Sequence, residues 1–133
     1  ALSAGLSWVL VSAGGDLRIG GEAPLLSIDV EDPEHPTATI ATLQIQGGGL
    51  ATSSTTRRSW GPGLHHVIDP RTGAPARSDA CQVTTWGPTC ADAEVIATVS
   101  LIEGTRAVND APSVIVGIDG AVYISFAADG EAA

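Results

Sequence analysis

The sequence predicts an α+β fold: a mostly antiparallel or mixed sheet, one principal helix over about residues 88–103, and a C-terminal β-hairpin. Three observations carry this expectation. Short apolar or alternating runs recur along the chain between Gly, Pro, Asn and Asp clusters, as strands do between turns. Only Pro88–Glu103 carries helix start and stop signals. Asp119-Gly120 lies between the apolar runs Ser113–Ile118 and Ala121–Phe126, the strongest hairpin signal in the chain.

The elements follow in order. Ala1–Gly5 reads as the tail of a helix ended by Gly5. Leu6–Ala13 is a strongly apolar strand, and Gly14-Gly15-Asp16 turns it into a short strand at Leu17–Ile19. Leu25–Val30 is a further strand. Residues 31–37, with their prolines and polar side chains, form a surface loop. Thr39–Ile45 alternates as a strand, and Leu50–Ser53 continues after a hinge at Gly47-Gly48-Gly49. Ser54–Gly63 is polar and bears glycine and proline, so it reads as a mobile loop. His65–Ile68 is a short strand stopped by Asp69-Pro70, and Gln82–Trp86 is another. Thr89 and Asp92 form a capping box at the start of the helix, and Gly104 ends it. Thr105–Asn109 reads as a further helical turn, and the residues after Phe126 as frayed.

Composition bounds the function. A chain of 133 residues, 44% of them hydrophobic and 16% charged, fits one globular domain with a real core. Aromatics make up only 4%, so Val, Ile, Leu and Ala must build that core. The net charge is −9 and all six cations are Arg, which argues against nucleic-acid binding. No apolar run approaches the roughly 20 residues of a membrane-spanning helix. Cys81 and Cys90 fit no zinc or redox spacing; they read as small buried or half-buried thiols, with a disulfide the alternative in an exported protein.

Several short motifs carry chemistry. Gly14-Gly15-Asp16 is either a plain tight turn or a place where a ligand approaches the backbone and meets a carboxylate. In His65-His66 the two side chains point to opposite faces of a strand, so only one can serve a given site. Asp69-Pro70-Arg71-Thr72-Gly73 is a well-formed turn, with Arg71 placed to meet phosphate or solvent. On the helix, Glu94 and Thr98 are one turn apart and share a face. A carboxylate and a hydroxyl so placed suit a hard cation such as Mg²⁺, although an ordinary polar stripe looks the same. Asp92 lies well around the helix from Thr98 and suits the cap instead.

The order of these motifs is more specific than any one of them. Gly-Gly-Asp after a strand, Ala51-Thr52-Ser53, His66 through Pro75, and an acid four residues before a Thr on a helix resemble the C-terminal half of the ApbE-like FAD:protein FMN transferases. The resemblance runs from about Leu6 to Phe126. It implies that the chain is half of a larger ApbE-like domain that uses FAD and Mg²⁺. The implied reaction moves FMN onto a threonine of a target flavoprotein and releases AMP. It implies His66 as the catalytic base and Glu94 and Thr98 as metal ligands. Gly14, Gly15, Asp16, Ala51, Thr52, Ser53, Asp69, Arg71 and Thr72 are then expected to line the flavin and pyrophosphate site. It also implies the periplasmic side of the cell envelope.

Three departures stand beside it. Glu94 replaces the family's usual Asp. Ser54 replaces a usual Gly, and would be strained if its φ were positive. The chain is expected to begin inside a helix that follows an N-terminal half, and so to be either one piece of a split protein or a shortened family member; the missing half, or another copy of the chain, is expected to cover an exposed apolar face. Two other functions share these residues: an Mg²⁺-dependent FAD pyrophosphatase, with water in place of threonine, and a flavin-binding or interaction module without turnover. No Asp-Gly-x-Thr-Ser/Ala acceptor motif occurs in the chain, so self-flavinylation is not expected.

Overall fold

The computed structural model describes residues 2–107 and 111–125. Its centre is a six-stranded antiparallel sheet in the order β1-β2-β5-β10-β11-β12. These strands are β1 (Trp8–Ala13), β2 (Asp16–Gly21), β5 (Gly48–Ser54), β10 (Ala80–Gly87), β11 (Ser113–Gly117) and β12 (Val122–Ser125). Two further strands, β3 (Leu26–Glu31) and β4 (Thr39–Ile45), pair among the described residues only with each other. The remaining short strands are β6 (Ser59–Gly61) with β7 (Leu64–His65), and β8 (Ile68–Asp69) with β9 (Ala74–Pro75). The one α-helix among the described residues, α1 (Cys90–Glu103), lies on the central sheet against β5 and β10.

The β1–β2 hairpin turns at Gly14-Gly15, with φ of 67° and 103°. Two consecutive positive-φ residues between paired Ala13 and Asp16 are the requirement of a tight type I′ hairpin. A side chain at either glycine would meet nothing within 4 Å, so conformation and not space requires glycine there.

Helix α1 sits unusually close to the sheet, and glycines are the reason. A Cβ on Gly49 would lie 2.4 Å from the Cys90 nitrogen, and one on Gly87 would lie 2.9 Å from the Ala93 nitrogen. The helix answers with small residues: Ala93 and Ala97 are fully buried, with Leu101 below them. Val83, Ala97, Leu101 and Ile115 form the core on this face. Thr89 caps the helix, its hydroxyl accepting from the Asp92 N–H at 3.1 Å. Gly104 ends it at φ 95°, its N–H bonded to the Ser100 carbonyl.

The opposite face of the sheet is covered by the β3–β4 hairpin. Ile19, Ala23, Ile45 and Leu50 form a second apolar cluster, with Ile28, Leu43 and Trp86 packed against it. The glycines at 47–49 are where the chain leaves one sheet for the other. Trp86 holds that crossing, donating its indole N–H to the Gly47 carbonyl at 2.7 Å.

Several expectations change in detail. The N-terminal helix tail is a 3-10 turn at Leu2–Ala4, followed by Gly5 at φ 90°; Ala1 lies outside the described residues. Ser54–Gly63 is not a structureless loop, because its second half pairs with residues 64–65. The expected strand His65–Ile68 is split between two small ribbons, with Val67 buried between them. Ser54 is strained by nothing: it is extended, buried, and donates to the Cys81 carbonyl at 3.1 Å. Beyond Gly104 the chain makes one turn, Ala107 N–H to Gly104 carbonyl; residues 108–110 lie outside the described region, as do Phe126 and the tail expected to fray. Cys81 and Cys90 are both free thiols.

Candidate active site

Strand β5 is longer than the neighbour that covers its outer edge. β2 pairs with Gly48–Leu50 only, while β10 pairs with β5 from Gly49 to Ser54. Past the Gly14-Gly15 turn the edge of β5 is therefore open. A cavity of about 890 Å³ occupies that opening. The β1–β2 turn, the end of β5, one side of α1, the end of β3, and the segments around Arg57 and His66 form its walls.

His66 and Glu94 come from separate segments and both line this cavity. Thr98 lines it as well, one turn along α1 from Glu94. Its hydroxyl lies 2.8 Å from that of Ser53, which ties the helix to β5 inside the cavity. Gly14, Gly15, Asp16, Thr52 and Ser53 also reach it. The Thr52 hydroxyl pairs with Thr84 across β10 at 2.8 Å.

The other expected residues lie elsewhere. Ala51 is 1% exposed and packs in the core. Asp69, Arg71 and Thr72 form their own closed turn beside the cavity, which is lined by neighbouring Ile68. The Arg71 guanidinium pairs with Asp69 at 2.8 Å, and the Arg71 N–H donates to the same carboxylate at 2.9 Å. These Arg71 contacts hold the Asp69 carboxyl below the usual carboxylate range. The Gly73 N–H returns to the Asp69 carbonyl at 2.8 Å. The turn thus fixes where the preceding strand ends, and with it His66.

The two histidines part as adjacent residues of extended chain do. His66 is exposed to the cavity. His65 turns into a shallow apolar groove with Leu64, Pro75 and Ile118. Its Nε2 is 3.0 Å from the Ala76 carbonyl, so Nε2 carries the proton and donates, while buried Nδ1 has no partner among the described residues.

Other cavity residues carry no signal that sequence alone could rank. Thr84 and Gln82 arrive from β10, and Arg57 and Arg58 from the segment read as a loop. Gln82 donates to the Glu31 carbonyl at 2.8 Å, and Arg57 forms an ion pair with Glu31, so the β3 wall is tied to both. Among the described residues no three His, Cys, Asp or Glu side chains cluster as a closed metal site. Glu94 and Thr98 nonetheless offer two hard oxygen donors to one space. That fits Mg²⁺, which commonly takes few protein ligands and leaves room for water and phosphate oxygens.

The fold is thus an antiparallel α+β fold with an oxygen-rich cavity at the open edge of β5, beside α1. Residues 2–114 match the ApbE family, and the chain belongs to that family. It is 34% identical over 107 residues to the FAD:protein FMN transferase of Escherichia coli strain K12, covering 75% of this chain and 30% of that protein. The crystal structure of the ApbE protein from Thermotoga maritima superposes with a TM-score of 0.77 at 30% identity, over 89% of this chain and 42% of that one. The flavin transferase ApbE from Vibrio cholerae shares the fold, with a TM-score of 0.70 at 21% identity over 96% of this chain and 44% of that one. The chain thus spans about 30% of the length of that curated relative and less than half of these solved chains.

Proposed function

We propose that the chain is the C-terminal half of an Mg²⁺-dependent FAD:protein FMN transferase. The observation that supports this most directly is the meeting of His66 with Glu94 and Thr98 in one cavity. A threonine hydroxyl is a weak nucleophile until a base takes its proton, and imidazole is the side chain suited to that near neutral pH. His66 would accept the proton as the acceptor oxygen attacks the FMN phosphorus. The bond from that phosphorus to the bridging oxygen breaks, and AMP leaves with the bridging oxygen. Glu94 and Thr98 would hold Mg²⁺, which neutralises charge on the phosphoanhydride when bound. Gly14, Gly15, Asp16, Thr52 and Ser53 would shape the pocket for FAD. Asp69, Arg71 and Thr72 act on this reading by fixing the turn behind His66, and Ala51 by packing beneath β5.

The rest of the site would come from a further segment or a second copy. Three exposed apolar surfaces support this: Val95 and Val99 on the outer side of α1, Val11 on edge strand β1, and Val122, Tyr123 and Ile124 on edge strand β12. A helix with exposed valines on its outer side, and two apolar edges, are features that proteins normally cover.

The test uses the full-length polypeptide with FAD, Mg²⁺ and an acceptor peptide bearing Asp-Gly-x-Thr-Ser. Mass spectrometry should find the peptide heavier by one FMN, and His66→Ala should slow this by about 10²–10⁴-fold. Release of AMP with no FMN on the peptide would replace transfer by FAD hydrolysis. Undiminished transfer by His66→Ala would sink the proposed base.

A further inference from the structure

The cavity is lined by four carboxylates, Asp16, Asp29, Glu31 and Glu94, and by two guanidiniums, Arg57 and Arg58. A phosphate-bearing substrate entering a chain of net charge −9 needs a local cation. Arg57 is already taken by its ion pair with Glu31. Among the described residues no ion pair engages Arg58.

Arg58 is also held next to the proposed base. Ser59 pairs with His65 in the β6–β7 ribbon, and the His66 N–H donates to the Arg58 carbonyl at 3.3 Å. Arg58 and His66 therefore stand opposite each other one step past the end of this small antiparallel ribbon. Opposed residues of such a ribbon present their side chains to one face. Both line the one cavity.

We propose that Arg58 is a substrate-binding residue that holds a phosphate oxygen of the flavin nucleotide beside His66. The planar guanidinium suits this, because it offers paired donors to phosphate oxygens. The ribbon sets the spacing: the group that grips the phosphate and the group that takes the proton are fixed to one another by backbone pairing. Arg57, bound to Glu31, stiffens the wall behind them. This inference rests on the flavin-nucleotide reading of the cavity and adds to it the residue that distinguishes phosphorylated from unphosphorylated flavin.

The experiment measures binding to the full-length polypeptide, by flavin fluorescence, of FAD, FMN and riboflavin. It is run for the wild type, Arg58→Gln, Arg58→Lys and Arg77→Gln, each with Mg²⁺ and with EDTA. Arg77 lines the groove on the other side, so Arg77→Gln removes the same charge away from the cavity. Arg58→Gln should weaken FAD and FMN about tenfold or more, as expected for one charge-assisted hydrogen bond, and leave riboflavin unchanged. Arg58→Lys should recover part of the loss, and Arg77→Gln should match the wild type. Unfolding midpoints of all variants should agree, since Arg58 is exposed.

The proposal is overturned if Arg58→Gln binds FAD as the wild type does. Equal loss of riboflavin, or equal loss in Arg77→Gln, overturns it too, by showing a ring contact or a long-range charge effect. A wild type that binds none of the three flavins removes the underlying reading of the cavity, an outcome distinct from a normal wild type with an unaffected Arg58→Gln.

Discussion

The hydroxyls of Ser53 and Thr98 lie 2.8 Å apart, joining the open end of β5 to the cavity side of α1. This bond fixes the angle between a strand and a helix that otherwise meet through small residues. A double-mutant cycle with Ser53→Ala and Thr98→Val should give a coupling of about 0.5–1.5 kcal/mol in chemical denaturation. Simple additivity of the two single losses would show that the hydroxyls are solvated separately.

The close seat of α1 predicts a sharp contrast between neighbouring glycines. Gly49→Ala puts a methyl group 2.4 Å from the Cys90 nitrogen, whereas a methyl on Gly47 meets nothing within 4 Å. Gly49→Ala should cost about 1–3 kcal/mol or prevent folding, and Gly47→Ala should stay within roughly 0.5 kcal/mol of the wild type. Equal melting temperatures for the two variants would contradict the packing described.

The histidines predict opposite phenotypes. His65→Gln alters a part-buried side chain that holds the Ala76 carbonyl, so it should lower stability while the proposed FMN transfer, assayed in the full-length polypeptide, persists in the folded fraction. His66→Gln should leave the unfolding midpoint near the wild-type value and abolish most transfer. Transfer lost in His65→Gln and kept in His66→Gln would reverse the assignment.

Asp79 predicts a pH signature. The Thr105 N–H, then the Thr105 hydroxyl, hold its carboxyl below the ordinary 3.8. Between the folded value and that of the unfolded chain, the unfolded chain binds more protons, so stability rises with pH through that window. The contribution is complete above about pH 4 and is lost as pH falls through the folded value. The stability difference between wild type and Asp79→Asn, measured by urea titration at several pH values, should shrink as pH drops below about 4. A difference that stays constant down to pH 2 would refute the linkage.

The helix cap predicts a smaller effect. Thr89→Ala removes the acceptor for the Asp92 N–H and should cost about 1 kcal/mol without moving the cavity residues. Thermal unfolding followed by circular dichroism would check it.

Much of this was legible in the sequence, for reasons that are local. The Thr89–Asp92 cap, the Gly14-Gly15 turn and the Asp119-Gly120 hairpin each depend on neighbours within four residues. The face shared by Glu94 and Thr98 follows from helical spacing alone. What was hidden depends on pairing between remote or featureless segments. The β6–β7 ribbon contains Ser59, Gly61 and Leu64, with no alternation to announce strands; backbone pairing around Pro62-Gly63 makes it, and so Arg58 went unseen beside His66. The split of β3–β4 from the central sheet was equally silent. Its residues alternate as those of a central strand would, and only tertiary packing decides which sheet they join.

Because β3 and β4 share a strand ladder only with each other among the described residues, the cavity's far side belongs to a unit that can loosen while the six-stranded sheet stays intact. Amide hydrogens of Ser27–Glu31 should then exchange sooner than those of Val83–Trp86, and a nucleotide seated against both should slow the former most. Ligand occupancy would thus be reported by the tempo of one hairpin, well before any global transition.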